Sequence, residues 1–166
     1  MTGEMPPRAT RVLVLCTGNS ARSQIAEALL TVRGAGRVEA ASAGSQPAAR
    51  VNPLAIEVLA AHGIAWGGHA PRSIAEVEGQ PFDLVITVCD NARDACPVFP
   101  GAGAQVHWGL PDPAAEADPM AAHAAFAQAY DALARRVDAL LALPLDALAP
   151  DALREAAQAI HEEAGR

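Results

Sequence analysis

Apolar positions along the chain fall into short strand-like runs that are followed by longer stretches with helical spacing. Residues 11–15 are rich in valine and leucine and end at a polar Thr-Gly-Asn-Ser cluster. Residues 22–32 then repeat apolar side chains with the period of a helix, through Ile25, Ala28 and Leu29. The first third of the chain therefore predicts a strand, a polar loop and a helix.

The same order continues through the middle of the chain. Further strands are predicted at 38–43, 83–88 and 105–108, and a helix at 53–62 that ends at Gly63. The run 83–88 is almost wholly apolar, which is typical of a parallel strand covered on both faces. Strands that alternate with helices indicate a doubly wound α/β fold, in which ligands sit at the carboxyl ends of the strands.

The last third of the sequence predicts helices only. A long helical pattern covers 119–143 and a short amphipathic one covers 151–163, while 46–50 and 101–104 are predicted to be loops. We therefore expect one domain, a four-stranded parallel sheet flanked by helices. It divides into a disordered N-terminal arm (1–10), a main body (11–143) and a helical C-terminal extension (144–166).

Composition excludes several classes of function. The chain has 166 residues and a net charge of −7, and all 12 of its basic residues are arginines, so no basic stripe is available to bind nucleic acid. No apolar run approaches the roughly 18 residues that read as a membrane span, and the start does not resemble a signal peptide. Three cysteines without an export signal favour reactive thiols over structural disulfides. We expect a cytoplasmic protein with no nucleic-acid or membrane partner.

The segment Cys16–Ser23 contains the strongest candidate chemistry. It lies between the first predicted strand and the following helix, where free backbone N–H groups and the helix dipole favour an anion. A cysteine at such a place, beside an arginine, is expected to ionise readily. Cys16 is the predicted nucleophile and Arg22 the predicted oxyanion-binding cation, with the sulfur beneath a tetrahedral anion. The predicted oxyanion loop comprises Thr17, Gly18, Asn19, Ser20, Ala21 and Arg22.

Two further cysteines follow the third predicted strand. Cys89 closes that strand, so a parallel sheet brings it to the same edge as Cys16. Cys96 comes after a segment that is long enough for less than two helical turns. If that segment is helical, the Cα atoms of Cys89 and Cys96 lie roughly 10 Å apart, whereas a disulfide needs about 7 Å or less. A disulfide between them therefore predicts unwinding of the segment.

The Cys-x5-Arg-Ser form of the loop resembles the low-molecular-weight tyrosine phosphatase superfamily. That resemblance implies a phosphatase-type oxyanion site at the end of the first strand. It also implies a carboxylic acid in a late Asp-Pro segment, which Asp112-Pro113 supplies. Asp112 is therefore the predicted general acid that protonates the departing oxygen.

The cysteine pair resembles the thioredoxin-coupled arsenate reductases of the same superfamily. The segments 89–97 and 107–113 match their pattern, and the similarity runs from about Arg11 to Leu143. The resemblance implies that Cys16 attacks arsenate, that Cys89 displaces arsenite by forming a disulfide with Cys16, and that Cys96 then takes over Cys89. Reduced thioredoxin would complete the cycle as electron donor. It also implies loop support from Ser23, Glu27 and Ser42, and no bound cofactor or metal.

One departure concerns a potassium site that some family members form around positions matching Asn19, Glu27 and Ser42. Arg72 stands where those members have an acidic residue, which argues against potassium here.

Two other functions stay open at this level. The first is a phosphatase acting on phosphotyrosine, which needs Cys16, Arg22 and Asp112 alone. The second is a redox-sensing binding protein that uses only the pair Cys89 and Cys96. Glutaredoxin or a small thiol would be an alternative reductant, and phosphate or sulfate would mimic arsenate.

Overall fold

A computed structural model describes residues 8–67 and 69–164 of the chain. Within them, four parallel strands form one sheet in the order β2-β1-β3-β4. The strands are β1 (Thr10–Cys16), β2 (Val38–Gly44), β3 (Phe82–Thr87) and β4 (Ala102–His107). The helices are α1 (Arg22–Gly34), α2 (Pro53–Ala61), α3 (Asp90–Ala95), α4 (Pro119–Leu141) and α5 (Pro150–Ala164), with short 3-10 turns at Ile74–Glu76 and Pro113–Ala115. The predicted fold class is confirmed.

The central strands β1 and β3 supply the middle of the core. Leu13 pairs with Val85 in the parallel register, and neither side chain is accessible to solvent. Helix α1 packs against β2 and α4, and α5 packs against β4 and α4. Strand β3 is covered on both faces of the sheet, and its almost wholly apolar sequence fits this burial.

Helix α5 closes the open edge of β4. The Gln158 side chain accepts a hydrogen bond from the backbone N–H of His107 (3.1 Å) and donates one to its carbonyl (3.2 Å). The indole N–H of Trp108 donates to the Ala157 carbonyl at 2.9 Å. The C-terminal extension predicted at 144–166 is thus bonded to the sheet over its described residues.

Two predicted boundaries require correction. The loop predicted at 101–104 is wrong, because Ala102 and Ala104 pair with Phe82 and Leu84 as the first part of β4. Alanine and glycine carry little strand propensity, and pairing with β3 overrides it. Residues 1–7 of the predicted arm lie outside the described residues, whereas Thr10 begins β1 and donates to the Arg37 carbonyl at 2.9 Å. Across 8–67 and 69–164, no helix has the length and apolarity needed to cross a membrane.

Candidate active site

The loop between β1 and α1 curls around the sulfur of Cys16. Cys16 is the last residue of β1 and Arg22 the first of α1, so the five intervening residues join a strand end to a helix N-terminus. Asn19 adopts a left-handed φ of 51°, and its backbone N–H points at the Cys16 sulfur at 3.1 Å. The left-handed position is therefore at Asn19, a residue type that tolerates it.

A glycine outside the motif makes room for this loop. A Cβ on Gly44, at the end of β2, would overlap the Thr17 carbonyl oxygen and approach the Asn19 nitrogen to 2.9 Å. Gly44 follows the strand predicted at 38–43, and the local sequence gives it no part in the site. Its role follows from the pairing of Cys16 with Gly44 across the sheet, which local sequence does not specify.

Behind the loop, buried polar side chains surround the Cys16 sulfur. Ser23 Oγ lies 2.8 Å from the Cys16 sulfur, and the Asn19 side-chain amide donates to both Ser23 and Ser42 at 2.8 Å. Because Ser23 Oγ accepts from Asn19, its own hydroxyl hydrogen is free to point at the sulfur. Ser23 and Ser42, which were predicted to support the loop, thus both lie within hydrogen-bonding distance of the Asn19 amide.

The network ends at a buried carboxylate. Ser42 Oγ donates to Glu27 Oε1 at 2.7 Å, and His69 Nε2 lies 2.7 Å from the same oxygen. The backbone N–H of Arg72 donates to Asn19 Oδ1 at 3.1 Å. His69 therefore joins the loop support, although its position 42 residues from Glu27 gave no local signal. In 8–67 and 69–164, no group of three or more His, Cys, Asp or Glu side chains is arranged to hold a metal ion.

The ionisation expected for Cys16 needs correction. Burial raises the pKa of the Cys16 thiol, while hydrogen bonds from Ser23 and Asn19 and the charge of Arg22 lower it. Cys16 is only 3% exposed, and the sequence-based expectation counted the helix end and the arginine without this burial. Formation of the thiolate thus depends on the groups that bond to the sulfur.

The structure brings Asp112 to the same site through Arg22. The Arg22 side chain is buried and donates to the Leu110 carbonyl at 2.8 Å. Its other terminal nitrogen lies 3.9 Å from Asp112 Oδ1, which also accepts the backbone N–H of Ala114 at 3.0 Å. Asp112 keeps about half of its side chain exposed, so a carboxyl group stands at the open side of the loop.

Cys89 meets the loop from the neighbouring strand. The N–H of Val88 donates to the Leu15 carbonyl at 2.9 Å, which extends the pairing of β1 and β3 up to the site. The Cys89 sulfur then lies 3.2 Å from Thr17 Oγ1 and accepts the Ala92 N–H at the start of α3. The expectation that Cys16 and Cys89 share one edge of the sheet is met.

Cys96 lies at the opposite end of α3. It is the residue that caps the helix, its backbone N–H donates to the Ala92 carbonyl, and its side chain is buried. Burial and the nearby charge of Glu78 raise the pKa of its thiol. All three cysteines are free thiols, and the segment between Cys89 and Cys96 is helical.

Comparison with known proteins agrees with this architecture. Residues 11–158 match the family model for low molecular weight phosphotyrosine protein phosphatase. An arsenate reductase of Halalkalibacterium halodurans is 36% identical over 127 residues, which cover 76% of this chain and 91% of that protein. The crystal structure of an arsenate reductase from Archaeoglobus fulgidus superposes with a TM-score of 0.60 at 31% identity, over 76% of this chain and 98% of that one.

A Corynebacterium glutamicum thioredoxin-dependent arsenate reductase superposes with a TM-score of 0.57 at 28% identity, over 82% of this chain and 65% of that one. The family model spans most of the chain, and the Halalkalibacterium relative is matched over nearly its whole length. The protein therefore belongs to the low molecular weight phosphotyrosine protein phosphatase family, in the group that includes arsenate reductases.

Proposed function

We propose that this protein reduces arsenate to arsenite by a three-cysteine thiol–disulfide relay that reduced thioredoxin regenerates. The observation that carries the proposal is the placement of Cys89 against the loop that follows Cys16. The Cys89 sulfur lies 3.2 Å from Thr17 Oγ1, the side-chain oxygen of the residue next to Cys16. A phosphatase needs the loop, Arg22 and Asp112 but has no use for a second thiol at its edge. The relatives named arsenate reductase support the same reaction.

Arsenate binding is assigned to the loop 17–22. Backbone N–H groups at the start of α1 and the Arg22 guanidinium favour a tetrahedral oxyanion above the Cys16 sulfur. Phosphate and sulfate have the same shape and charge, and they are expected to compete. The chemistry needs no bound cofactor, since both electrons come from thiols.

The first half of the reaction forms a disulfide and releases arsenite. The Cys16 thiolate attacks arsenic and a hydroxyl group leaves, protonated by Asp112. The Cys89 thiolate then attacks the Cys16 sulfur, and the electron pair of the broken sulfur–arsenic bond stays on arsenic. Arsenic gains two electrons, and the two cysteines lose them as the Cys16–Cys89 disulfide forms.

The second half restores the nucleophile. The Cys96 thiolate attacks the Cys89 sulfur, and Cys16 leaves as a thiolate. The new disulfide joins the two ends of α3, which must unwind because helical geometry keeps these Cα atoms roughly 10 Å apart. Two electrons from reduced thioredoxin then reopen the Cys89–Cys96 disulfide. The proposal places the protein in the cytoplasm, where such thiols are kept reduced.

Thioredoxin is the proposed reductant because an exposed disulfide on an unwound segment is accessible to another protein. The Corynebacterium glutamicum neighbour is described as thioredoxin-dependent. Glutaredoxin and small thiols are the alternative reductants. Each is tested by using it in place of thioredoxin and comparing the rates of arsenate turnover.

A coupled assay tests the relay. NADPH consumption is followed with thioredoxin, thioredoxin reductase and arsenate, for the wild type and for Cys16→Ser, Cys89→Ser and Cys96→Ser. We expect turnover to be lost in all three variants, and the disulfide Cys16–Cys89 to accumulate in Cys96→Ser. Full turnover in Cys89→Ser or Cys96→Ser would contradict the relay.

The second candidate function is phosphatase activity on aryl phosphates. The Asp112 carboxyl group beside Arg22 favours it, because it can donate a proton to the phenoxide that leaves. The test is hydrolysis of p-nitrophenyl phosphate. Phosphatase activity would be the principal activity if hydrolysis requires Cys16 and Asp112, does not require Cys89 or Cys96, and is faster than arsenate turnover.

A further inference from the structure

Strand β4 carries two polar side chains, Gln105 and His107, two residues apart and therefore on one face of the strand. His107 Nε2 lies 3.0 Å from Asp90 Oδ1, and its Nδ1 lies 2.7 Å from Thr87 Oγ1. Asp90 is the first residue of α3, directly after Cys89. His107 thus bonds to the end of α3 that lies next to the active-site loop.

Gln105 bonds to the other end of the same segment. Its Nε2 donates to the Cys96 carbonyl at 2.9 Å, and its Oε1 accepts the Phe99 N–H at 2.7 Å. Phe99 is buried and packs edge-on against Phe82 of β3, with ring centroids 5.8 Å apart. The turn that follows Cys96 is therefore anchored to the core at Phe99 and bonded to β4 through one amide side chain.

We infer that Gln105 is a positioning residue that holds Cys96 away from Cys89 in the reduced protein. The inference rests on the proposed relay, in which these two sulfurs must join. Cys89 is the fixed end, because the N–H of Val88 bonds to β1 and the Cys89 sulfur bonds to Thr17. The approach from roughly 10 Å to about 7 Å between Cα atoms is therefore made by Cys96.

That movement breaks the bond between Gln105 and the Cys96 carbonyl. Gln105 cannot follow, because its backbone pairs with Val85 of β3 and its side chain also accepts the N–H of the anchored Phe99. A bond present in the dithiol and absent in the disulfide favours the dithiol. With the net contribution typical of one hydrogen bond, Gln105 lowers the equilibrium constant for Cys89–Cys96 disulfide formation about fivefold.

The test measures the Cys89–Cys96 couple directly in a Cys16→Ser background. The protein is equilibrated with mixtures of reduced and oxidised dithiothreitol, free thiols are trapped by alkylation, and the disulfide fraction is read by mass spectrometry. Oxidised dithiothreitol takes the two electrons and two protons that the cysteines release. Circular dichroism and urea unfolding verify the fold of each variant.

Two variants separate the bonds of Gln105. Gln105→Met removes both bonds at nearly constant shape, whereas Gln105→Glu keeps the acceptor for the Phe99 N–H and loses the donor to Cys96. Gln128→Met, on the exposed side of α4, is the matched control. We expect the constant to rise about fivefold in both Gln105 variants, which is about 20 mV for a two-electron couple, and to stay unchanged in the control.

The outcomes distinguish this inference from the function on which it rests. One outcome is that the Cys89–Cys96 disulfide forms with the same equilibrium constant in the parent, in Gln105→Met and in Gln105→Glu. That result would overturn the positioning role of Gln105 and leave the relay standing. A rise in Gln105→Met alone would overturn it too, because the effect would then belong to the Phe99 anchor. Failure of the parent to form any Cys89–Cys96 disulfide would overturn the relay itself.

Discussion

The substitution Ser23→Ala is the sharpest probe of how this site forms a nucleophile. Burial favours the neutral thiol of Cys16, so the ionised form depends on the donors that reach the sulfur. Ser23 Oγ lies 2.8 Å from that sulfur and receives the Asn19 amide hydrogen, which leaves its hydroxyl as a donor to the thiolate. Alanine removes this bond and changes the side-chain volume by little.

The magnitude follows from the charge on the acceptor. A hydrogen bond to a charged group contributes about 1.5–3 kcal/mol, and 1.4 kcal/mol is a factor of about ten in population. The thiolate fraction of Cys16 at neutral pH should therefore fall roughly ten- to a hundredfold in Ser23→Ala. Arsenate turnover at neutral pH should fall by a similar factor, and raising the pH should restore part of it.

The assay isolates Cys16 in a Cys89→Ser, Cys96→Ser background. The thiolate is titrated by its ultraviolet absorbance, and the rate of alkylation by iodoacetamide is measured across the same pH range. Ser45→Ala, in the loop after β2, is the control and should titrate like the parent. A Ser23→Ala profile that coincides with the parent profile would refute the assignment of Ser23 as the donor.

Three further predictions address the loop, the pH response and the core. Gly44→Ala pushes a Cβ to 2.9 Å from the Asn19 nitrogen and should cut arsenate turnover about a hundredfold, unlike Gly67→Ala, whose Cβ has no atom of the described residues within 4 Å. Burial, aided by neighbouring cations, lowers the pKa of His161, so the free energy of unfolding should fall as pH drops below about 6.5, and urea titrations should show a smaller fall in His161→Gln. Leu133→Ala, at a fully buried site, should lower the unfolding free energy by about 2–5 kcal/mol in urea; a loss below 1 kcal/mol would contradict its core position.

Local sequence was sufficient for most of the helices and strands and for the motif Cys16–Ser23. Residues 22–32 repeat apolar side chains at helical spacing, which indicates a helix. Residues 83–88 form an almost wholly apolar run that is short and rich in β-branched side chains, and these two properties together favour a buried strand. The segment Cys16–Ser23 is contiguous, so its nucleophile, arginine and helix start are visible together. The strand β4 was the weak point, since 101–104 is built from alanine and glycine and becomes a strand only by pairing with β3.

Contacts between segments that are distant along the chain could not be predicted from local sequence. His69 reaches Glu27 across 42 residues, and Arg22 approaches Asp112 only because α1 and the turn after β4 meet at one edge of the sheet. The pKa of Cys16 was misjudged because burial is a property of the packed molecule. Side chains such as Gln105 carry no motif, and their place in the chemistry depends wholly on what the fold puts beside them.

The sequence by itself determined the alternation of strands and helices, the loop Cys16–Ser23 between β1 and α1, and the three thiols, because each depends on residues that are close along the chain. The tertiary structure decided which strand ends meet, which polar groups are buried with Cys16, and which bonds hold Cys96 at the far end of α3. Those features depend on long-range pairing and on solvent exclusion, which arise only when the sheet has formed and the helices have packed upon it.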